Sequence, residues 1–244
     1  MERLRILNIP IDVVTEEQAA QRAFRAIEEK HPFRIITANA EMLMQAQTSE
    51  SLNSSLQSAD LVVADGAGVV WAAKELGSFL PERVAGIDLA HRILNLSAQK
   101  QIPVFFFGGA PEIAEEAAKK MIAKYPGLRI AGIQDGFLAS NDETVLLKKI
   151  NTSGAQILFV ALGVPKQEEW LDKYKNELIP SLRVGVGGSF DVMADRVTRA
   201  PLWMQKNSLE WFYRLLCQPS RWRRMLAIPQ FIFKVKGSKK LDKA

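Results

Sequence analysis

A chain of 244 residues, 48% hydrophobic and 24% charged, carries enough apolar material for a large buried core, which excludes a disordered or collagen-like polymer. Its single cysteine, Cys217, excludes an intramolecular disulfide framework and fits a reducing compartment, and no stretch approaches the ~18 uninterrupted apolar residues of a spanning helix. The net charge of +5 is unevenly placed: residues 196–244 hold 12 of the 32 Lys+Arg but 2 of the 27 Asp+Glu, with three of the five tryptophans, Trp203, Trp211 and Trp222.

The opening MERLRILNIPIDVV carries an acid and lacks a long apolar run with a cleavage site, so a secretory signal is not expected and the cytoplasm is the default location. Residues 5–9 and 11–14 read as extended, broken at Pro10. Thr15-Glu16-Glu17-Gln18 is a capping-box pattern opening a helix to about residue 30. Strands follow at 33–37 and 61–64, each leading into a helical pattern. A loop at 81–84 precedes a helix over about 88–99. Strands at 104–107, 128–133, 157–161 and 182–186 then alternate with helices that begin near Pro111, Asn141 and Lys166. This alternation, without tandem hairpins, predicts an α/β, Rossmann-like, mainly parallel sheet covered by helices. The pattern changes after Asp195, which divides the chain into an α/β body, 1–195, and a basic helical appendage, 196–244. Within the appendage, 201–216 is helical in period, and Pro219 and Pro229 divide the rest into short pieces.

Polar and glycine residues gather where strands end: Thr37/Asn39, Asp65/Gly66/Gly68, Gly108/Gly109, Gly163/Gln167 and Gly187/Gly188. Together they outline one crevice whose backbone amides and helix N-termini suit an anionic ligand such as a diphosphate. Asp65, after the run Leu61-Val62-Val63-Ala64, reads either as a reactive carboxylate or as the cap of the next helix. Arg83 balances Asp65 or a phosphate, or is a solvated loop arginine. Neither a complete G-x-G-x-x-G with its distant acid nor a G-x-x-x-x-G-K-[ST] is present, which disfavours a dehydrogenase or P-loop NTPase. Isolated His31 and His91, the pair Asp191/Asp195 and the lack of a D-x-D triplet give poor support for a metal site. No cofactor is implied.

In the tail, Arg214, Arg221 and Arg224 punctuate apolar and aromatic residues. Arginine forks bind phosphate oxygens, and Trp with Lys/Arg beside a Leu/Phe stripe is what an interfacial helix presents to an anionic membrane. The alternatives are a stripe packed on the body, or nucleic acid; the latter is disfavoured because the aromatics stand among Leu, Ile and Phe.

Thr37-Ala38-Asn39 with Glu41, Ala64-Asp65-Gly66-Ala67-Gly68, Arg83 with Gly86-Ile87-Asp88, and Phe106-Phe107-Gly108-Gly109 occur in this order. They are followed by Leu162-Gly163-Val164-Pro165-Lys166-Gln167-Glu168, Gly185-Val186-Gly187-Gly188-Ser189-Phe190-Asp191, Arg199-Ala200-Pro201 and Leu209-Glu210-Trp211-Phe212-Tyr213-Arg214-Leu215. This ordered set, over nearly the whole chain, resembles the WecG/TagA/CpsF glycosyltransferase family. The resemblance implies an inverting transferase, peripheral on the inner face of a bacterial cell membrane. Within the family it is strongest to the enzyme moving N-acetylmannosamine from UDP, in a β-1,4 linkage, to undecaprenyl-diphosphate-linked N-acetylglucosamine, a linkage-unit step of wall teichoic acid. The alternatives are a relative using another UDP-sugar, such as N-acetylmannosaminuronic acid or glucose, for a different surface polysaccharide, or a non-catalytic nucleotide-sugar-binding module. By the same resemblance Asp65 matches a catalytic base, while Thr37, Asn39, Arg83, Gln167 and Asp191 match substrate-binding positions. Arg214, Arg221 and Arg224 match groups that bind the lipid diphosphate or UDP. The implied partners are a UDP-sugar, a polyprenyl-diphosphate acceptor and an anionic membrane, with a homo-oligomer left open. Ala194-Asp195 departs from the Ala-Gly of the family pattern.

Overall fold

The computed structural model describes residues 2–137, 143–219 and 222–241. Its N-terminus is a hairpin of β1 (Arg3–Ile6) and β2 (Ile9–Asp12). The break expected at Pro10 falls instead at Leu7 and Asn8, whose φ angles of 50° and 66° make a two-residue turn, and Pro10 pairs with Arg5. Among the described residues no strand pairs with the second edge of β2, so a residue without an N–H is tolerated there. Buried Asp12 accepts from Arg3 Nε and Nη2 at 2.9 and 2.8 Å and from the Val62 N–H at 2.7 Å, which docks the hairpin on the body.

The remaining strands, β3 (Phe33–Ala38), β4 (Leu61–Ala64), β5 (Val104–Gly108), β6 (Ile130–Gln134), β7 (Ile157–Ala161) and β8 (Leu182–Gly185), form one sheet. Its order is β4-β3-β8-β7-β5-β6 and every neighbouring pair is parallel, the α/β arrangement expected from the alternation. Alternate side chains of each strand enter opposite cores: Phe106 packs on one face, Phe105 and Phe107 on the other. The first face is covered by α1 (Glu16–Glu28), α5 (Gly86–Lys100), α6 (Ile113–Lys124) and α9 (Ser189–Met193). The second is covered by α2 (Ala40–Gln45), α3 (Glu50–Gln57), α4 (Ala67–Glu75), α7 (Glu143–Thr152) and α8 (Lys166–Lys173). Thr15 and Gln18 close the capping box of α1 reciprocally.

The single helix expected over 201–216 is two, α10 (Leu202–Lys206) and α11 (Glu210–Cys217). Ser208 takes φ 62°, its N–H bonds Gln205 O at 3.2 Å, and the Leu209 N–H bonds Met204 O at 2.8 Å. That is a Schellman stop, which overrides the apolar periodicity running through it. After α12 (Trp222–Met225) comes α13 (Ala227–Leu241). Pro229, expected to divide the tail, lies in the first turn of α13, where its missing N–H has no helical acceptor to satisfy. Further along, Phe231 and Val235, one turn apart, are fully buried with Ile36, Met42 and Val69, so α13 lies along α2 and α4. Asp195 ends α9 at φ 55°, a conformation that favours glycine and that Asp tolerates better than most residues. Among the described residues no helix is long and apolar enough to cross a membrane.

Candidate active site

The loop after β3 leads to helices on one face of the sheet and the loop after β8 to a helix on the other, the switch point at which open α/β sheets bind ligands beyond the carboxyl ends of their strands. Thr37 and Asn39 stand at the end of β3. Thr37 is buried, and its Oγ1 lies 3.0 Å from where a Cβ on Gly86 would stand, so a side chain there would crowd Thr37 where the start of α5 approaches β3. Asn39 caps α2, its Oδ1 accepting from the Met42 N–H at 3.0 Å.

Asp65 continues the parallel ladder through its N–H to Ala38 O, 2.8 Å. The helix-cap reading of Asp65 does not hold: the N-cap of α4 is Gly66, at φ 107°, and no side chain caps that helix. The half-buried carboxylate is aimed instead at the first turn of α5, where the Gly86 N–H faces it. Burial pushes this carboxyl up to about 6; Arg214 and Arg83 pull it down, Glu210 pushes with burial, and the Gly86 N–H pulls against it. A carboxyl near 6 is ionised at neutral pH and still basic enough to accept a proton, the condition a general base needs.

Arg83 is delivered to this spot because the Val84 N–H bonds Ala64 O at 2.9 Å, tying the loop to the end of β4. It is not a solvated loop arginine: its Nη1 lies 3.1 Å from Oε2 of Glu210, the first residue of α11. Glu210 Oε1 also accepts from Arg199 Nε at 3.1 Å, and Arg199 donates from Nη1 and Nη2 to both oxygens of Asp88 on α5. Burial raises the Asp88 carboxyl, yet the Arg199 hydrogen bonds and charge outweigh it and leave Asp88 below the usual carboxylate range. In the sequence Glu210, Arg199 and Asp88 stand out only as members of the ordered motifs. The one available signal was Glu210 itself, an acid in a tail of 12 bases.

Gln167 stands at the start of α8 and is 2% exposed. Its Oε1 accepts from the Gly187 N–H at 2.9 Å and its Nε2 donates to Glu168 Oε1 at 2.7 Å, so it fixes the loop after β8. A Cβ on Gly185 would stand 2.5 Å from Gln167 Nε2, which explains the glycine beneath it. Asp191 is half-buried on α9, and its carbonyl accepts from the Arg196 and Val197 N–H groups as the chain leaves the body. Arg224 donates to Glu41 on α2, two residues beyond Asn39, and Arg221 lies outside the described residues. The structure thus gathers Asp65, Arg83 and Arg214, sets Thr37 against Gly86, and leaves Gln167 and Asp191 in the helices that follow the adjoining strands β7 and β8.

Comparison of the sequence with known proteins identifies its relatives. The model of the "Glycosyl transferase WecG/TagA/CpsF family" matches residues 4–243. The chain is 41% identical over 198 residues to the N-acetylglucosaminyldiphosphoundecaprenol N-acetyl-beta-D-mannosaminyltransferase of Bacillus spizizenii, covering 81% of this chain and 76% of that one. It is 35% identical over 217 residues to the protein of the same name from Bacillus subtilis, covering 89% and 84%. With the one from Staphylococcus aureus the identity is 34% over 245 residues, 99% and 96% of the two chains. A match over this share of the body and tail together makes the chain a member of the WecG/TagA/CpsF family of glycosyltransferases.

Proposed function

We propose that the protein transfers N-acetyl-D-mannosamine from UDP to an undecaprenyl-diphosphate-linked N-acetylglucosamine, with inversion, and that Asp65 is the base. Relatives of that name supply the transferred sugar and the acceptor, and the family resemblance of the motifs adds the UDP donor and a place for the step in wall teichoic acid linkage-unit synthesis. The observation carrying the mechanism is the Asp65 carboxylate at a strand end, raised to about 6 and bordered by Arg83 and Arg214. An acceptor hydroxyl attacks the anomeric carbon opposite the UDP; its proton passes to Asp65 as the new C–O bond forms and the bond to the diphosphate breaks. The negative charge gathering on the departing UDP is met by the arginines.

The tail supports placement at a membrane. Trp203, Trp211, Trp222, Leu216, Leu226 and Phe233 are exposed large apolar side chains in the basic appendage, the combination an anionic lipid surface binds. On this reading the protein works at the inner face of the cell membrane, where a nucleotide sugar meets a lipid-linked acceptor.

UDP release from a panel of UDP-sugars, with and without a polyprenyl-diphosphate N-acetylglucosamine acceptor, tests the reading. Acceptor-dependent turnover of UDP-N-acetylmannosamine above the other donors is expected. Faster turnover of another donor replaces the sugar, and binding of UDP-sugar without acceptor-dependent turnover overturns the enzymatic reading.

A further inference from the structure

Helix α11 reaches the body without burying any residue of its own: Trp211, Phe212 and Leu216 remain 43%, 41% and 61% exposed. Its orientation therefore has little apolar packing behind it, in contrast to α13 with Phe231 and Val235. What ties α11 to the body is its first residue. The Glu210 carboxylate gives one oxygen to Arg83, from the loop after β4, and the other to Arg199, which grips Asp88 on α5. These side chains are largely withdrawn from water, with Glu210 13%, Arg199 21% and Arg83 22% exposed, so their attraction is less screened than that of surface pairs. One helical turn beyond Glu210, at i+4 on the same face, stands Arg214, whose charge acts on Asp65.

We propose that Glu210 is a positioning residue: its carboxylate, shared between Arg83 and Arg199, fixes α11 so that Arg214 is held facing the Asp65 carboxylate. The assignment rests on the reading of Asp65 as the base. Glu210 acts through Arg214 and touches neither donor nor acceptor. It is the one acid of α11, so nothing else on that helix can answer the two arginines. The charged groups facing Asp65 are Arg214, Arg83 and Glu210, with the Gly86 N–H as the remaining polar neighbour.

The test is a double-mutant cycle in the full chain: Glu210→Gln, Arg214→Ala and the pair, each measured for kcat, KM and the pH dependence of kcat/KM with a polyprenyl-diphosphate acceptor. Each single change is expected to lower kcat by about tenfold, and the pair by no more than Arg214→Ala alone, the non-additivity of groups acting as a unit. The acid limb of kcat/KM is expected to move up in Glu210→Gln, because losing the pull of Arg214 outweighs removing Glu210's own charge. A carboxylate acting on Asp65 by its charge alone moves that limb down. Additive losses in kcat, or a downward limb, overturn the proposal. Where Glu210→Gln fails to fold, Glu210→Asp, with the charge kept and the reach shortened, enters the same cycle. Asp65→Asn is measured alongside: full turnover there defeats the base reading, whereas the coupling between Glu210 and Arg214 is read from turnover alone.

Discussion

Glu168 is 1% exposed at the start of α8, with Oε1 accepting from Gln167 and Oε2 meeting no hydrogen-bond partner among the described residues. Burial holds its carboxyl up to about 7 from the ordinary 4.5, against the pull of the Gln167 hydrogen bond and of Arg34. Between those two pH values the folded chain keeps a proton that the unfolded chain has released. Stability is therefore greatest below the unfolded value, falls as pH rises through the window, and levels off above about 7. The gap corresponds to about 3 kcal/mol. Glu168→Gln replaces the acid by a neutral side chain of the same shape that still offers Gln167 an acceptor. The variant should match the wild type at pH 4 and exceed it by about 3 kcal/mol at pH 8. Urea unfolding at intervals from pH 4 to 8, with the m-value compared to check that the same surface is exposed, measures the difference. A difference that is flat with pH, or that grows in favour of the wild type, refutes a neutral Glu168.

Asp65→Asn should reduce acceptor-dependent UDP release by about 10² or more while leaving the melting curve in place, as expected for loss of a general base. In the wild type kcat/KM should fall below pH about 6 as Asp65 takes up a proton. Arg83→Ala should raise that limb, since a positive charge that favours the ionised carboxylate is gone; an unmoved limb separates Arg83 from Asp65. Gly108→Ala would set a Cβ 2.5 Å from the Ala161 carbonyl at φ 115°, and thermal melting should show a loss above about 2 kcal/mol. Phe231→Ala leaves a cavity among Ile36, Met42 and Val69, costs about 3 kcal/mol or more, and should expose α13 to limited proteolysis; unchanged cleavage would argue against the docked helix.

The body was legible because its signals were local and redundant. Phe105-Phe106-Phe107 is apolar on both sides, as a strand buried on both faces requires, and Thr15 with Gln18 marked the start of α1. The hairpin was misread because a proline was given more weight than Leu7-Asn8, a turn whose positive φ angles carry no strong residue signature at leucine. The tail was read as one amphipathic helix because the stripe through Leu202, Leu209, Phe212 and Leu216 ignores the stop at Ser208. In the site, Asp65 and Arg83 were visible as charges near glycines. The Arg83–Glu210–Arg199–Asp88 chain was not, because its members are separated by up to 127 positions and meet only when the tail folds back over α5.

The same chain of charges bears on how the proposed transfer keeps its electrostatic balance. Around Asp65 the carboxylates of Asp65, Asp88 and Glu210 face the guanidinium groups of Arg83, Arg199 and Arg214, an even match while Asp65 is ionised. In the proposed reaction Asp65 gains a proton as the bond to the diphosphate breaks. The cluster then becomes one unit more positive at the moment the leaving group becomes more negative. Deprotonating the acceptor and stabilising the departing UDP are thus coupled through one group of charges, without a side chain having to move between the two tasks. The coupling depends on Arg214 facing Asp65 when the proton moves, and so on the joint at Glu210, which ties the exposed helix α11 to the body.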